Sequence, residues 1–151
     1  MKIKNVLAIA VLLIIAGVNS NLTAQTALRA MVKKCESIDS ESVIMNVVRK
    51  KDKNTLKVIS SIVTIDIPAK DKKLVNEFIE AFEKDEPFAF ETIYAKKHGT
   101  TIPQHFNFSG VSFSFDYRDA DSPDFFPKKV RSNEKIDESK TVVRITMVEK
   151  P

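Results

Sequence analysis

Residues Lys70 to Glu86, KDKKLVNEFIEAFEKDE, constrain the fold more than any other stretch. Leu74, Val75, Phe78, Ile79 and Phe82 fall at i, i+1, i+4, i+5 and i+8, which at about 100° per residue is one apolar stripe. Asn76, Glu77, Glu80, Glu83 and Lys84 fall on the opposite side. Pro68 precedes this helix and Pro87 stops it. Lysines crowd its first turn, and Asp85 and Glu86 its last, so its charges oppose the helix dipole. Packing of the stripe must therefore hold it. The segments on either side alternate and are rich in β-branched and aromatic residues, so the helix reads as the cover of an antiparallel sheet.

A second helix is expected over Ala27 to Ile38. Its apolar positions are Leu28, Met31, Val32, Cys35 and Ile38. Cys35 is the chain's one cysteine and lies on that stripe, where a free thiol behaves as a small buried apolar group. Val43 to Lys51 reads as a strand, apolar on both faces near its start and hence central in a sheet. Lys51-Asp52-Lys53-Asn54 is a turn, and Leu56 to Ile67 returns as the second arm of a hairpin. Phe88 to Lys97 is a third strand. His105 to Tyr117 is expected as a fourth, long strand: Phe106 and Phe108 share one parity, and Val111, Phe113, Phe115 and Tyr117 the other. A bulge at Ser109-Gly110 would bring both sets to one face. Arg118 to Lys140 is a long polar loop and Thr141 to Glu149 the last strand. The fold class that follows is α+β, a two-layer sandwich. An antiparallel sheet of about five strands carries two helices on one face, in the order α-β-β-α-β-β-β.

The N-terminus has a separate logic. A basic start, MKIKN, is followed by the apolar run Val6 to Gly17 and then by small and polar residues, the plan of a secretory signal peptide. The run is too short for a comfortable membrane span, which needs about 20 residues. Cleavage is expected after Ala24, with Ser20 as the second choice. That divides the chain into a leader, 1–24, and one domain, 25–151. The membrane is then touched only through the transient leader, and the destination is the periplasm or beyond. An exported chain with one thiol has no internal disulfide to make.

Charge excludes one class of partner. The chain has 24 basic and 20 acidic residues; Lys2 and Lys4 leave with the leader, so 24 − 2 = 22 against 20, a net +2. The basic pairs are dispersed and flanked by acids, which gives no clustered face for nucleic acid. No metal site or cofactor is expected. His98 and His105 flank one turn, but a zinc site needs three or four ligands and no third is apparent. Asp116, Asp119, Asp121 and Asp124 cluster where the fourth strand enters the loop. Counted from Asp119, positions six and twelve hold Asp124 and Val130, so this is not an EF-hand; it reads as a solvated acidic loop, with a non-standard calcium site as the alternative. There is no nucleophile elbow, no HExxH and no Gly-rich phosphate loop, so no catalytic residue is assigned and the chain is not expected to be an enzyme. Phe125-Phe126, between two prolines in the polar loop, is the best single candidate for partner contact. Tyr117 and Arg144 join it, with Ser112, Ser114 and Thr146 on an open sheet face.

The stretch from Thr55 to Glu86, with its strand ending in Ile67-Pro68 and the helix KDKKLVNEFIEAFEKDEP, resembles small exported proteins of unknown function common in Bacteroidota. The leader ending LTAQ is similar to theirs too. The resemblance implies export and brings no catalytic residues. The expected function is a non-enzymatic binding or interaction module of the periplasm or cell envelope, whose partner is a protein or another envelope component. The alternative is an inhibitor-like module acting on a secreted hydrolase, since tandem α-β-β units resemble bacterial inhibitors of such enzymes in element order.

Overall fold

The computed structural model describes residues 25–39, 41–97, 99–121, 129–131 and 134–150. The expected leader, 1–24, lies outside them. Helix α1 (Thr26–Glu36) leads into strands β1 (Ile44–Lys51) and β2 (Val58–Pro68). Helix α2 (Lys72–Asp85), a 3₁₀ turn (Glu86–Phe88) and strands β3 (Glu91–Lys97), β4 (Thr100–Phe108), β5 (Val111–Asp119) and β6 (Thr141–Glu149) follow. All strand pairs are antiparallel, in the spatial order β1-β2-β6-β5-β4-β3. The α+β two-layer architecture is as the periodicity predicts.

Helix α2 forms for the reasons its sequence suggests. Asp71 caps its start by accepting from the Leu74 N–H at 3.2 Å. Leu74, Val75, Phe78 and Phe82 are buried, and Ile79 packs half-buried beside them. The two helices run side by side and antiparallel. Lys34 near the end of α1 pairs with Glu77 near the start of α2. Asp85 at the end of α2 meets the start of α1. Its carboxylate accepts from the Leu28 N–H at 2.8 Å and the Ala27 N–H at 3.3 Å, so it caps the neighbouring helix, whose dipole favours it. Gln25, the residue ahead of α1, offers no side-chain cap of its own.

Between the helices and the sheet lies an aromatic core. The Phe82 ring stands edge-on to Phe106, Phe113 and Phe115 at centroid distances of 5.1, 6.4 and 6.2 Å. Cys35 is buried in the same core, and burial pushes its thiol up to about 11.

Three sequence expectations change. The expected single strand His105–Tyr117 is two strands, β4 and β5, reversed by the two-residue turn Ser109-Gly110, so the sheet has six strands among the described residues. Phe108 lies opposite Val111 and Phe106 opposite Phe113, so both parity sets face the core because the chain turns back. A hairpin and a bulge resolve the same phase slip, and both use glycine. The turn expected between His98 and His105 gives way to strand: Thr100–Phe108 is β4, Ile102 and Pro103 included. The irregularity lies where Ile93 pairs with His105 and Tyr94 with Pro103, which lets a proline sit inside the ladder. Finally, β1 is an edge strand and not a central one. Its apolar residues on both faces remain largely uncovered.

Gly110 has φ +76°, a conformation that costs any L side chain. A Cβ there would stand 3.4 Å from the Lys150 carbonyl, so space is adequate and the strain is conformational. Gly110→Ala is expected to cost about 1–2 kcal/mol in urea denaturation. A loss below about 0.3 kcal/mol would show that the turn is not held in this conformation.

Candidate functional site

Three places on the structure bear on function, two of them named by the sequence. Phe125, Phe126, Asp124 and His98 lie outside the described residues. Arg144 and Tyr117 are on opposite faces of the sheet. Cross-strand partners share a face, and Arg144 lies opposite Asp116 while Tyr117 lies opposite Val143.

Arg144 stands on the face away from the helices, on β6 between β2 and β5. Its Nε and Nη2 donate to Asp66 Oδ1 and Oδ2, both at 2.7 Å. This is a bidentate pair with side chains 12% and 14% exposed. The Asp66 hydrogen bonds hold the guanidinium's pKa above its ordinary value. Asp116, on the other flank, takes Lys129 Nζ at 2.5 Å and Arg118 Nη2 at 3.3 Å. The charges on this part of the face are therefore matched internally. A ligand carboxylate could take the Nε–Nη2 edge of Arg144 only by displacing Asp66. Ser112, Ser114 and Thr146 share this face, half-buried. His105 is also here, within β4, with Nε2 3.0 Å from Asn107 Oδ1.

The acidic cluster is divided among separate partners. Asp119 accepts from the Asp121 N–H at 3.0 Å, and Asp121 pairs with Lys140 at 3.4 Å. Among the described residues no group of three or more His, Cys, Asp or Glu is placed to hold a metal ion.

Tyr117 lines a groove of about 590 Å³ on the helix side, between the first half of α2 and residues 135–138. Its apolar wall is Val75, Ile79, Ile102 and Ile136. The Lys72–Glu138 ion pair ties the loop to α2 beside it. Desolvation raises the Tyr117 phenol above its ordinary value, so it stays protonated at neutral pH. Residues 129–130 reach the same strand: Arg118 and Lys129 form an antiparallel bridge, and the Val130 N–H donates to the Tyr117 carbonyl at 2.9 Å.

The third place is one that the sequence reading did not single out. Among the described residues eleven large apolar side chains are exposed, and seven belong to the β1–β2 hairpin. Leu56 is 71% exposed, Val48 61% and Ile44 54%. Both faces of β1 contribute: Val48 shares its face with Ile62, and Val47 shares the other face with Val63. The hairpin tip is well ordered by Asp52. Its Oδ1 accepts from the Thr55 and Asn54 N–H groups at 2.8 and 3.0 Å, and these bonds, the Thr55 N–H first, pull its pKa below the ordinary value. Leu56 follows with φ +58°, a conformation that costs a bulky residue. The signal that could have found this surface is in the sequence. Val43 to Val48 is apolar at both parities, and the chain has too few helices to cover two sheet faces.

No curated protein and no solved structure matches this chain. One protein family does, over residues 25–143, which spans both helices, the first five strands and the start of β6. The chain therefore belongs to the family described as domain of unknown function DUF5024.

Proposed function

We propose that the protein is an exported, non-enzymatic interaction module of the periplasm or cell envelope, and that it takes hold of a partner protein through the β1–β2 hairpin. The observation that carries this reading is the concentration of exposed apolar side chains on one edge hairpin, while the centre of the open face is closed by paired charges. Exposed apolar patches of this kind mark protein contact surfaces, and an edge strand offers backbone donors and acceptors to a partner strand. The leader plan of residues 1–24 supports export, as does the resemblance to exported Bacteroidota proteins, and the family match begins at residue 25.

The test is cross-linking in the native envelope. A photoreactive residue is placed in the full chain at Val48, at Leu56 or, as control, at Ser112. Protein adducts at the hairpin positions and not at Ser112 are expected. Equal labelling at all three, or a chain that stays in the cytoplasm with its leader attached, would overturn the reading. The geometry of the tip favours one second reading, an inhibitor-like module. A firmly held loop that presents Leu56 is shaped to enter a hydrolase cleft. In that case Leu56→Glu abolishes inhibition of a secreted hydrolase while Val48→Lys leaves it intact.

A further inference from the structure

We infer that the groove beside the first half of α2 binds a carboxylic acid with one medium-length alkyl chain, and that the ligand's carboxylate takes the place of Glu138 on Lys72. This goes beyond the hairpin reading and stands on another part of the molecule. The groove exists because the sheet divides. Strands β4 and β5 pair over His105–Phe108 and Val111–Ser114, and their register ends there. Pro103 lies in the unpaired half of β4, and the second half of β5 takes a bridge from Lys129 instead. The space between is walled by α2 and by residues 135–138. That outer wall is held in place. Asp137 Oδ1 accepts from the Ser139 N–H and Oγ at 3.1 and 2.6 Å, and the Lys140 carbonyl accepts from the Ala120 N–H at 2.7 Å. Well-packed interiors leave few voids larger than a water molecule. A recess of about 590 Å³ is instead of the size of small-molecule sites, about 300–1,000 Å³.

The polarity of the groove selects the ligand. Val75 and Ile102 are buried at its floor, and Ile79 and Ile136 are half-buried on its sides. Lys72, Lys135 and Glu138 are exposed and stand at its mouth. An apolar floor under a charged mouth fits an amphiphile with its chain inside and its head at the rim. The head is an anion. Lys72 pairs with Glu138, and among the described residues no acid pairs with Lys135. Lys72 is also the first residue of α2, where a cation opposes the helix dipole and a carboxylate is favoured. The chain itself sets a carboxylate there, that of Glu138. The Tyr117 phenol lies at the same end: after desolvation, the charges of Lys72 and Glu138 shift it, in opposite directions. The two side chains of the Lys72–Glu138 pair are 61% and 49% exposed, so the pair contributes little and its exchange for a ligand carboxylate is close to neutral. The net affinity then comes from the alkyl chain, which covers the apolar floor. A cationic head would meet Lys72 and Lys135, and a neutral one would leave Lys135 without a charge partner.

The probe is decanoate below its micelle concentration, titrated calorimetrically into the full chain purified from the compartment where it accumulates. One saturable site per chain is expected, with a Kd on the order of 10–100 µM for a ligand of this size. The double variant Lys72→Gln/Lys135→Gln should weaken binding at least tenfold with an unchanged melting profile, because both side chains are exposed. Ile136→Asp, which puts a carboxylate on the apolar wall, should abolish it. Glu138→Gln is the sharpest variant: it removes the internal competitor and should tighten decanoate binding at least threefold. A groove that only collects apolar matter would not respond to Glu138→Gln, and it would take decanol and decyltrimethylammonium as well as decanoate. Either of those results, or no saturation by about 1 mM decanoate, would overturn the inference. Val48→Lys should bind decanoate as the wild type does. Binding lost in that variant would move the site to the hairpin and also overturn the inference, whereas failure in the groove variants leaves the hairpin reading as it stands.

Discussion

Phe82→Ala is expected to be the most destabilising single truncation, by about 3–5 kcal/mol. The side chain is fully buried and stands edge-on to three other phenylalanines, one on β4 and two on β5. Removing it strips the transfer energy of the ring, the edge-to-face contacts of its neighbours and the clamp between α2 and the sheet. The three partner rings come from two strands of one hairpin, so they cannot close the gap without moving the ladder. Since whole domains of this size are stable by about 5–15 kcal/mol, the loss is a large part of the total, and the melting temperature should fall on the order of 10–20 °C. Phe90→Ala is the control: Phe90 is 74% exposed and should change stability by less than about 0.5 kcal/mol. Equal effects of the two substitutions would mean that α2 is not seated on the sheet.

The second large effect belongs to Asp85. Asp85→Ala leaves the N–H groups of Ala27 and Leu28 without their acceptor at a buried helix start, at a cost of about 1–3 kcal/mol. Asp85→Asn keeps an acceptor oxygen and removes the charge, so it separates the hydrogen bonds from the ionisation. Desolvation raises the pKa of Asp85, and the two N–H donors pull it part of the way back. The folded state therefore holds the Asp85 proton more tightly than the unfolded chain, whose value is near 3.8. Between those two values the folded state carries more bound proton, so this group's contribution to stability rises as pH falls and is lost as pH rises through the folded pKa. Other carboxylates have the opposite slope: hydrogen bonds to Lys34 and Thr55 lower Glu77 and Asp52 respectively, and both groups lose their folded-state advantage as pH falls. The informative quantity is thus the difference between wild type and Asp85→Asn. Urea midpoints between about pH 4 and pH 7 should show the wild type gaining on Asp85→Asn towards the acid end. A constant gap across that range would show that Asp85 titrates as it does in the unfolded chain.

Most of the local structure was legible in the chain. The α2 stripe predicted the buried residues of that helix, because 3.6-residue periodicity and burial are two views of one geometry. The α1 stripe did the same for Leu28, Val32 and Cys35. The hairpin around Asp52 and the last strand, Thr141 to Glu149, were equally plain. The phase slip at Ser109-Gly110 was detected and given the wrong cause. Parity reports which side a residue faces, and a reversed chain and a bulged one give the same answer. The candidate site was less legible. Arg144 reads as an available cation in sequence, and only the neighbouring strand reveals that Asp66 already occupies it.

What the sequence determined by itself is whatever depends on residues within a turn or two of each other: the two helices, the strand faces, the turns at glycine, and the leader-like composition of residues 1–24. What the tertiary structure decided is which distant segments meet. The last strand, β6, is placed between β2 and β5. Asp85 is set over the start of α1, 57 residues away from Leu28, and β1 is left at the rim. The physical reason is the same in each case. Periodicity records which faces a segment can bury, but the partner that covers a face is chosen by the packing of the whole core. A strand apolar on both sides can satisfy that packing in the middle of one sheet, or at its edge where a second sheet can join it.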